Sequence, residues 1–390
     1  MGKKTLNVAI IGGGFMGKAH SSAWLQVGKF FDVDYNINLK VCVGNNSPLE
    51  DFAKNWGYDE VSYDWKATIE REDIDIVDIV TPTSMHKEMV IAAARAGKHI
   101  VCEKPFTISY EDAVEMYEEA KKAGIVHYLN HNYRKVPAVA FAKQLVDEGK
   151  LGDIYHWRGA YLQDWIIDPS FPVSWHLKEE CAGGGPLYDL TTHAMDLARF
   201  IIGEPKAVSA INKTFIAERP KAGAGAATFS AGVNNNPSEM EKVDVDDASF
   251  AIVEFENGAI GSVESSRFAN GRKNYNDFEI YGSKGSLHFN LERMNELEFF
   301  DATLPVAEQG YTRIMTTEDV HPYEAAWWPP GHIIGYGNTF TNGFADFLNA
   351  LKEGKDASPN FEDGVRIIQA VRAIKMAGDE GRRVTLDEVK

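Results

Sequence analysis

Short apolar runs alternate with amphipathic stretches through the first third of the chain, at 6–11, 38–43, 74–80, 98–102 and 125–129. Between them the apolar residues recur at helical spacing, over 18–27, 47–56, 68–72, 87–96 and 109–123, the last two ending at Gly97 and Gly124 where left-handed caps belong. Strand and helix in strict alternation predict a parallel sheet covered by helices. After Asn130 the pattern changes. A helix over 137–148 and an alternating strand over 153–163 lead into a loop rich in Trp, Pro and Asp, and a further helix is expected from about 187 to 201. Strands then follow one another at 207–215, 248–256, 259–267, 275–281, 286–290 and 296–300, with Asn257-Gly258 a hairpin signal, before two closing helices at 338–351 and 361–377. Consecutive strands without helices between them predict an open antiparallel or mixed sheet. The fold class is therefore α/β in two domains, 1–130 and 131–390. The Gly-, Ala- and Asn-rich stretch 221–241 is expected to be a surface excursion or lid.

The first apolar run delivers Gly12-Gly13-Gly14-Phe15-Met16-Gly17 at its end. A strand that feeds G-x-G-x-x-G into a helix is the phosphate loop of a dinucleotide site. Gly12 permits the turn, Gly14 clears the backbone for a pyrophosphate, and Gly17 lets the helix sit close to the strand. Phe15 and Met16 line the same turn. The second strand ends in Val43-Gly44-Asn45-Asn46, with no carboxylate for the adenosine ribose diol and no cation for a 2′-phosphate. Asn45 and Asn46 are the ribose candidates, and the cofactor expected is NAD, with NADP left open. Thr81-Pro82, His86 and Glu103-Lys104-Pro105 fall at the carboxyl ends of later strands, where the nicotinamide end of such a cofactor belongs.

Composition narrows the partners. At 390 residues, 44% hydrophobic and 25% charged, the chain is an ordinary folded protein of two or three domains. Its net charge of −17 opposes a nucleic-acid backbone and an anionic bilayer. No apolar run reaches membrane-spanning length, and the N-terminus enters a strand, so a cytoplasmic protein is expected. Cys42, Cys102 and Cys181 are widely spaced and odd in number, which argues for reduced thiols and against a thiolate metal site. His127 and His131 have i,i+4 spacing, but a strand end is expected between them, so no metal is assigned.

In Asp189-Leu190-Thr191-Thr192-His193 the acid and the imidazole are i,i+4 on the expected helix, on one face. Histidine titrates near neutrality and suits the removal of a hydroxyl proton. A solvated Asp–His pair is the plainer reading of that spacing alone. Taken in order, Gly-x-Gly-x-x-Gly, Thr-Pro…His, Glu-Lys-Pro and Asp-x-x-x-His on a two-domain chain resemble the Gfo/Idh/MocA oxidoreductases. The resemblance implies a Rossmann domain followed by an α/β domain with a large open, mostly antiparallel sheet that supports homo-oligomers, dimers or tetramers. It also implies that Lys104, Asp189 and His193 form the catalytic set and touch substrate. A closer resemblance lies in Tyr161-Leu162-Gln163-Asp164-Trp165, Glu218-Arg219-Pro220, Val243-Asp244-Val245-Asp246-Asp247 and His321-Pro322-Tyr323. It is to members that oxidise the C3 hydroxyl of a 1,6-anhydrosugar with NAD.

Arg134, Gln163, Asp164, Trp165, Trp175 and His321 complete the expected substrate contacts, because aromatic faces stack on sugar rings and amide or carboxylate groups read hydroxyls. Ordinary cores and interfaces use the same residue types. Trp327-Trp328-Pro329-Pro330 is a candidate subunit interface. The leading expectation is a dehydrogenase for a neutral cyclic sugar or polyol. An inositol or glycoside dehydrogenase, an NAD-dependent glycosidase and a non-catalytic dinucleotide sensor are the alternatives.

Overall fold

The computed structural model describes residues 2–45, 48–221 and 239–390. It divides into two compact units: 1–107, 111–136 and 317–366 form the first, and 108–110, 137–316 and 367–390 the second. In the first, β1 (Lys4–Ile11), β2 (Tyr35–Val43), β3 (Glu60–Ser62), β4 (Ile76–Ile79), β5 (His99–Glu103) and β6 (His127–Asn130) form a parallel sheet. Its order is β3-β2-β1-β4-β5-β6, the doubly wound arrangement whose ligand crevice opens where β1 and β4 diverge. Strands buried on both faces read as continuous apolar runs, which is why the sequence located all but β3, a strand of three half-buried residues. Helices α1 (Phe15–Phe30), α2 (Leu49–Trp56), α3 (Trp65–Ile69), α4 (His86–Arg95) and α5 (Tyr110–Ala123) accompany the sheet. Gly97 and Gly124 take φ of +69° and +65° after α4 and α5.

The second unit opens with α6 (Pro137–Asp147), β7 (Ile154–Leu162) and the short helices α7 (Glu179–Ala182), α8 (Pro186–Asp189) and α9 (Thr191–Ile202). Strands β8 (Pro205–Lys213), β9 (Glu218–Pro220), β10 (Met240–Lys242), β11 (Ala248–Phe255), β12 (Ile260–Ser266), β13 (Tyr275–Gly282), β14 (Gly285–Asn290), β15 (Glu296–Asp301), β16 (Tyr311–Met315) and β17 (Val384–Thr385) follow. Nine of these strands form one sheet, β16-β15-β14-β13-β7-β12-β11-β8-β17, antiparallel except where β7 meets β12. β9 and β10 pair antiparallel at the base of the Gly-rich excursion; its residues 222–238 lie outside the described residues.

Alternation with period two places Trp157, Val253, Ile280 and Leu287 in the core on one side of the large sheet. The same alternation leaves Ile211, Phe250, Ile252 and Ile260 exposed on the other. Ile211 and Phe250 are direct cross-strand partners.

The chain then returns to the first unit, which a continuous second domain over 131–390 does not anticipate. The reason is packing. Helix α10 (Tyr336–Glu353) buries Phe340, Phe344 and Phe347 in the core that holds Trp24 and Tyr128, and Phe344 lies 4.2 Å from the Trp24 ring. Trp327, expected at a subunit interface, is instead buried against Phe30 at 4.3 Å, its indole N–H donating to Asn342 at 2.9 Å. Helix α11 (Phe361–Glu380) ends the helical part of the chain.

Candidate active site

The glycines of the phosphate loop in the first unit are dictated by close backbone approach at two of their positions. Gly12 has φ +123°, and a Cβ there would sit 2.8 Å from the Val80 carbonyl oxygen. A Cβ on Gly17 would be 2.5 Å from the Gly12 carbonyl oxygen, so α1 packs on the turn only because that side chain is missing. Gly14 differs. A Cβ there would meet nothing, and Gly14 is the N-cap of α1, whose first amides receive no side-chain cap. An open cradle at a long helix's N-terminus fits a dinucleotide pyrophosphate. Phe15 is exposed beside it, stacked at 6.2 Å on Tyr336, and Met16 packs against the core. Asn45 is exposed at the end of β2; Asn46 lies outside the described residues.

At the far strand ends, Thr81 is half-buried, Pro82 is exposed and Lys104 is half-buried, joined to Pro105 by a cis peptide. Two residues expected to touch the cofactor have buried side chains with partners inside the unit. His86 is fully buried, with one ring nitrogen 3.0 Å from the Thr81 carbonyl oxygen and the other 3.1 Å from that of Pro105. Burial holds its pKa below the ordinary value, and it ties the β4 and β5 loops together. Glu103 turns inward. Its Oε1 lies 2.8 Å from His20 Nε2 and accepts from Asn130 Nδ2 at 2.6 Å, while Oε2 accepts the Lys104 amide at 3.1 Å.

Arg134 and His321 also belong to the first unit. Arg134 is buried and donates to Asp363 at 3.1 Å, and His321 Nδ1 accepts the Glu318 amide at 3.1 Å. His127 is accounted for by packing: it stacks on Phe361 at 4.5 Å, accepts that residue's amide, and is held by burial at a pKa of about 4. Burial likewise pushes the Cys42 thiol to about 12.

In the second unit, the helix expected over 187–201 is interrupted at Leu190. Asp189 closes α8 and His193 lies in the first turn of α9, so the spacing within a continuous helix is not what places them. The loop before them is anchored from β11's approach. Asp246 accepts the amides of Gly185 at 2.8 Å and Leu187 at 2.9 Å, and Asp244 accepts that of Glu179. Gly185 can be nothing else, because a Cβ there would fall 1.8 Å from the Asp246 carbonyl oxygen. His193 is 4% exposed, with its ring 5.6 Å from that of Tyr161.

The Asp189 carboxylate accepts from Arg267 Nη2 at 2.7 Å. Arg267, 1% exposed at the end of β12, also lies 5.1 Å over the Trp165 ring. Trp165 in turn donates to Gln163 Oε1 at 2.8 Å. One connected cluster thus holds Gln163, Trp165, Arg267 and Asp189. Sequence reasoning missed Arg267, since a lone Arg at a strand end carries no periodic or motif signal. Two expected members stand differently. Asp164 is engaged by Lys273 at 2.8 Å and the Gly271 amide, and Lys273 holds its carboxyl below the usual range. Trp175 stacks on His176 at 3.6 Å, which in turn faces Trp165 at 6.0 Å.

Comparison with known proteins matches both parts of the chain. Residues 6–131 match the model described as oxidoreductase family, NAD-binding Rossmann fold, and residues 139–288 match the GFO/IDH/MocA C-terminal domain. A levoglucosan dehydrogenase of Pseudarthrobacter phenanthrenivorans is 42% identical over 367 residues, 93% of this chain and 94% of the relative. The scyllo-inositol 2-dehydrogenase (NAD(+)) of Bacillus subtilis is 31% identical, covering 67% of this chain and 69% of that one. A solved levoglucosan dehydrogenase in complex with NADH and levoglucosan superposes with TM-score 0.91 at 41% identity, covering 98% of this chain and 100% of that one.

The chain belongs to the Gfo/Idh/MocA family of oxidoreductases. It is an NAD-binding enzyme of that family, closely related to levoglucosan dehydrogenase.

Proposed function

We propose that the protein oxidises a ring secondary hydroxyl of an uncharged cyclic sugar, with the C3 hydroxyl of levoglucosan the first candidate. The observation that carries this reading is the cluster Gln163–Trp165–Arg267–Asp189 beside His193. It offers an aromatic face, an amide and a carboxylate, and its guanidinium is matched by that carboxylate. Asp189 balances the Arg267 charge within the cluster, and neutral hydroxyls suit such a set of donors and acceptors. The 42% identity to a levoglucosan dehydrogenase along nearly the whole chain adds to it.

Oxidation takes a proton from the hydroxyl oxygen and a hydride from its carbon. NAD would supply the hydride acceptor when bound; the Gly12–Gly14–Gly17 turn would hold its pyrophosphate and Asn45 would meet its ribose. The imidazole of His193 accepts the hydroxyl proton. The Lys104 ammonium donates to the oxygen as negative charge develops on it. Asp189, fixed by Arg267, accepts from a substrate hydroxyl.

The test is NADH formation by purified protein on levoglucosan, inositols, simple glucosides and a sugar phosphate, with NAD and NADP compared by kcat/KM. Levoglucosan is expected to give the highest kcat/KM, and NAD is expected to exceed NADP because Val43-Gly44-Asn45 supplies no cation for a 2′-phosphate. Turnover of the sugar phosphate alone overturns the neutral-sugar reading. Product release without net NADH signals a glycosidase instead.

The same reading makes the protein a homo-oligomer working in the cytoplasm. Its support is the exposed face of the large sheet, where Ile211, Phe250, Ile252 and Ile260 are each 49–72% exposed; an apolar row of that kind is rare on a monomer. Light scattering is expected to give a dimer or tetramer. Substituting Ile211 and Ile252 by Lys is expected to lower the mass, and a monomeric wild type would sink the idea. Reduced, widely spaced cysteines and the acidic surface fit a cytoplasmic enzyme without nucleic-acid partners, and among the described residues no helix is long and apolar enough to cross a membrane.

A further inference from the structure

The first unit encloses a charged cluster that the reaction scheme leaves unused. His20, six residues past Gly14 on α1, is fully buried between two carboxylates. Its Nδ1 lies 2.9 Å from Asp78 Oδ1 on β4, and its Nε2 lies 2.8 Å from Glu103 Oε1 at the end of β5. A ring that faces a carboxylate at each nitrogen must donate from both and is therefore an imidazolium. Trp24 from the next turn of α1 donates to Asp78 Oδ2 at 2.8 Å, and Asn130 from the end of β6 donates to Glu103 at 2.6 Å. The rings of Phe340 and Phe344 lie 5.5 and 5.2 Å from the imidazole and close the cluster against water.

Burial opposes the charge on His20, but Asp78 and Glu103 outweigh it and raise its pKa to about 10. Burial also opposes the charge on Glu103, which His20, Asn130 and Lys104 nevertheless keep below the usual carboxylate value. Such a pair is costly to bury. A neutral core of the same volume would serve a purely structural purpose as well.

We propose that His20 is a positioning residue for Lys104: it fixes Glu103, whose other oxygen holds the Lys104 amide at 3.1 Å. Three features connect the pieces. Glu103 has its two oxygens divided, one to the buried cation and one to the backbone that delivers Lys104. His20 rides on the helix that begins at the phosphate loop, so the cluster ties that helix to the strand end bearing Lys104. Asn130, from the end of β6, donates to the same Glu103 oxygen that faces His20, so helix α1 and the ends of β5 and β6 converge on the carboxylate that holds the lysine's backbone.

The inference rests on the role given to Lys104 under the proposed function, and a mutant cycle separates the two. His20→Gln, Lys104→Met and the double variant are compared by kcat on the sugar that turns over best, with NADH affinity by fluorescence and Tm as companion readings. His20→Gln is expected to lower kcat about 10–100-fold, the order of cost of a small misplacement of a catalytic group. KM and NADH affinity should stay within about threefold, and the substitution should cost nothing further in the Lys104→Met background. An equal loss in both backgrounds means a general structural role and overturns the proposal, as does wild-type turnover in His20→Gln. Wild-type turnover in Lys104→Met instead overturns the role of Lys104, and the inference falls with it. Should His20→Gln fail to fold, Glu103→Gln, which preserves shape, enters the same cycle under the same criteria.

Discussion

Replacing His193 by alanine is expected to lower kcat by roughly 10²–10⁴-fold, the usual worth of a positioned general base. The fold should tolerate the change. His193 lies in the first turn of α9, its amide donates to the Leu190 carbonyl oxygen at 3.1 Å, and alanine keeps that helical backbone while removing the ring that packs on Tyr161. The phosphate loop and the ends of β4 and β5 belong to the first unit, so NADH affinity is expected to change little. Steady-state kinetics and a fluorescence titration check both halves. Near-normal turnover would remove His193 from the chemistry, while a loss confined to NADH affinity would reassign it to cofactor binding.

Arg267→Met is expected to cost about 10²-fold in kcat/KM, the order reached when a contact residue shifts by about an ångström. Arg267 donates to the Asp189 carboxylate and is the cation over Trp165. Removing it releases two groups that the proposed function places against substrate. Stability should fall as well, because breaking a buried pair leaves the other charge uncompensated.

The stability loss should depend on pH. Burial raises the pKa of Asp246 and of Asp247, and Arg267 is among the groups holding both down. Without it both rise further. A carboxyl whose folded pKa lies above its unfolded value favours the fold at low pH, and that advantage is lost as pH rises through the folded pKa. The Tm deficit of Arg267→Met is therefore expected to be larger at pH 7 than near pH 4. Arg267→Lys should restore part of the stability but less of the activity, since an ammonium keeps the charge without the planar fork. A variant with wild-type kcat/KM would show that Asp189 needs no partner.

Features encoded in short-range pattern were already readable from the chain. Apolar runs of five to seven residues bounded by turn residues read as buried strands, and glycines at 12, 14 and 17 directly after the first of them read as a phosphate-binding turn, so the dinucleotide fold was legible from the chain alone. Glu-Lys-Pro and Asp-x-x-x-His likewise pointed to Lys104, Asp189 and His193 as the residues to examine. Periodicity failed where long-range contacts outbid local ones. It ran one helix through Leu190, because it sees side-chain spacing and not the Asp246 carboxylate capping Gly185 and Leu187 or the guanidinium holding Asp189. It set the second domain continuous to the last residue, because nothing local marks Phe340 and Phe344 as partners of Trp24 and His20. It could not say which way the side chains of Glu103 and His86 turn, because a strand end looks the same whichever way its side chain points. Only the tertiary structure decided that direction. Burying a carboxylate is tolerable only when cations and donors from distant segments meet it, and His20 and Asn130, far apart in the chain, do so at Glu103.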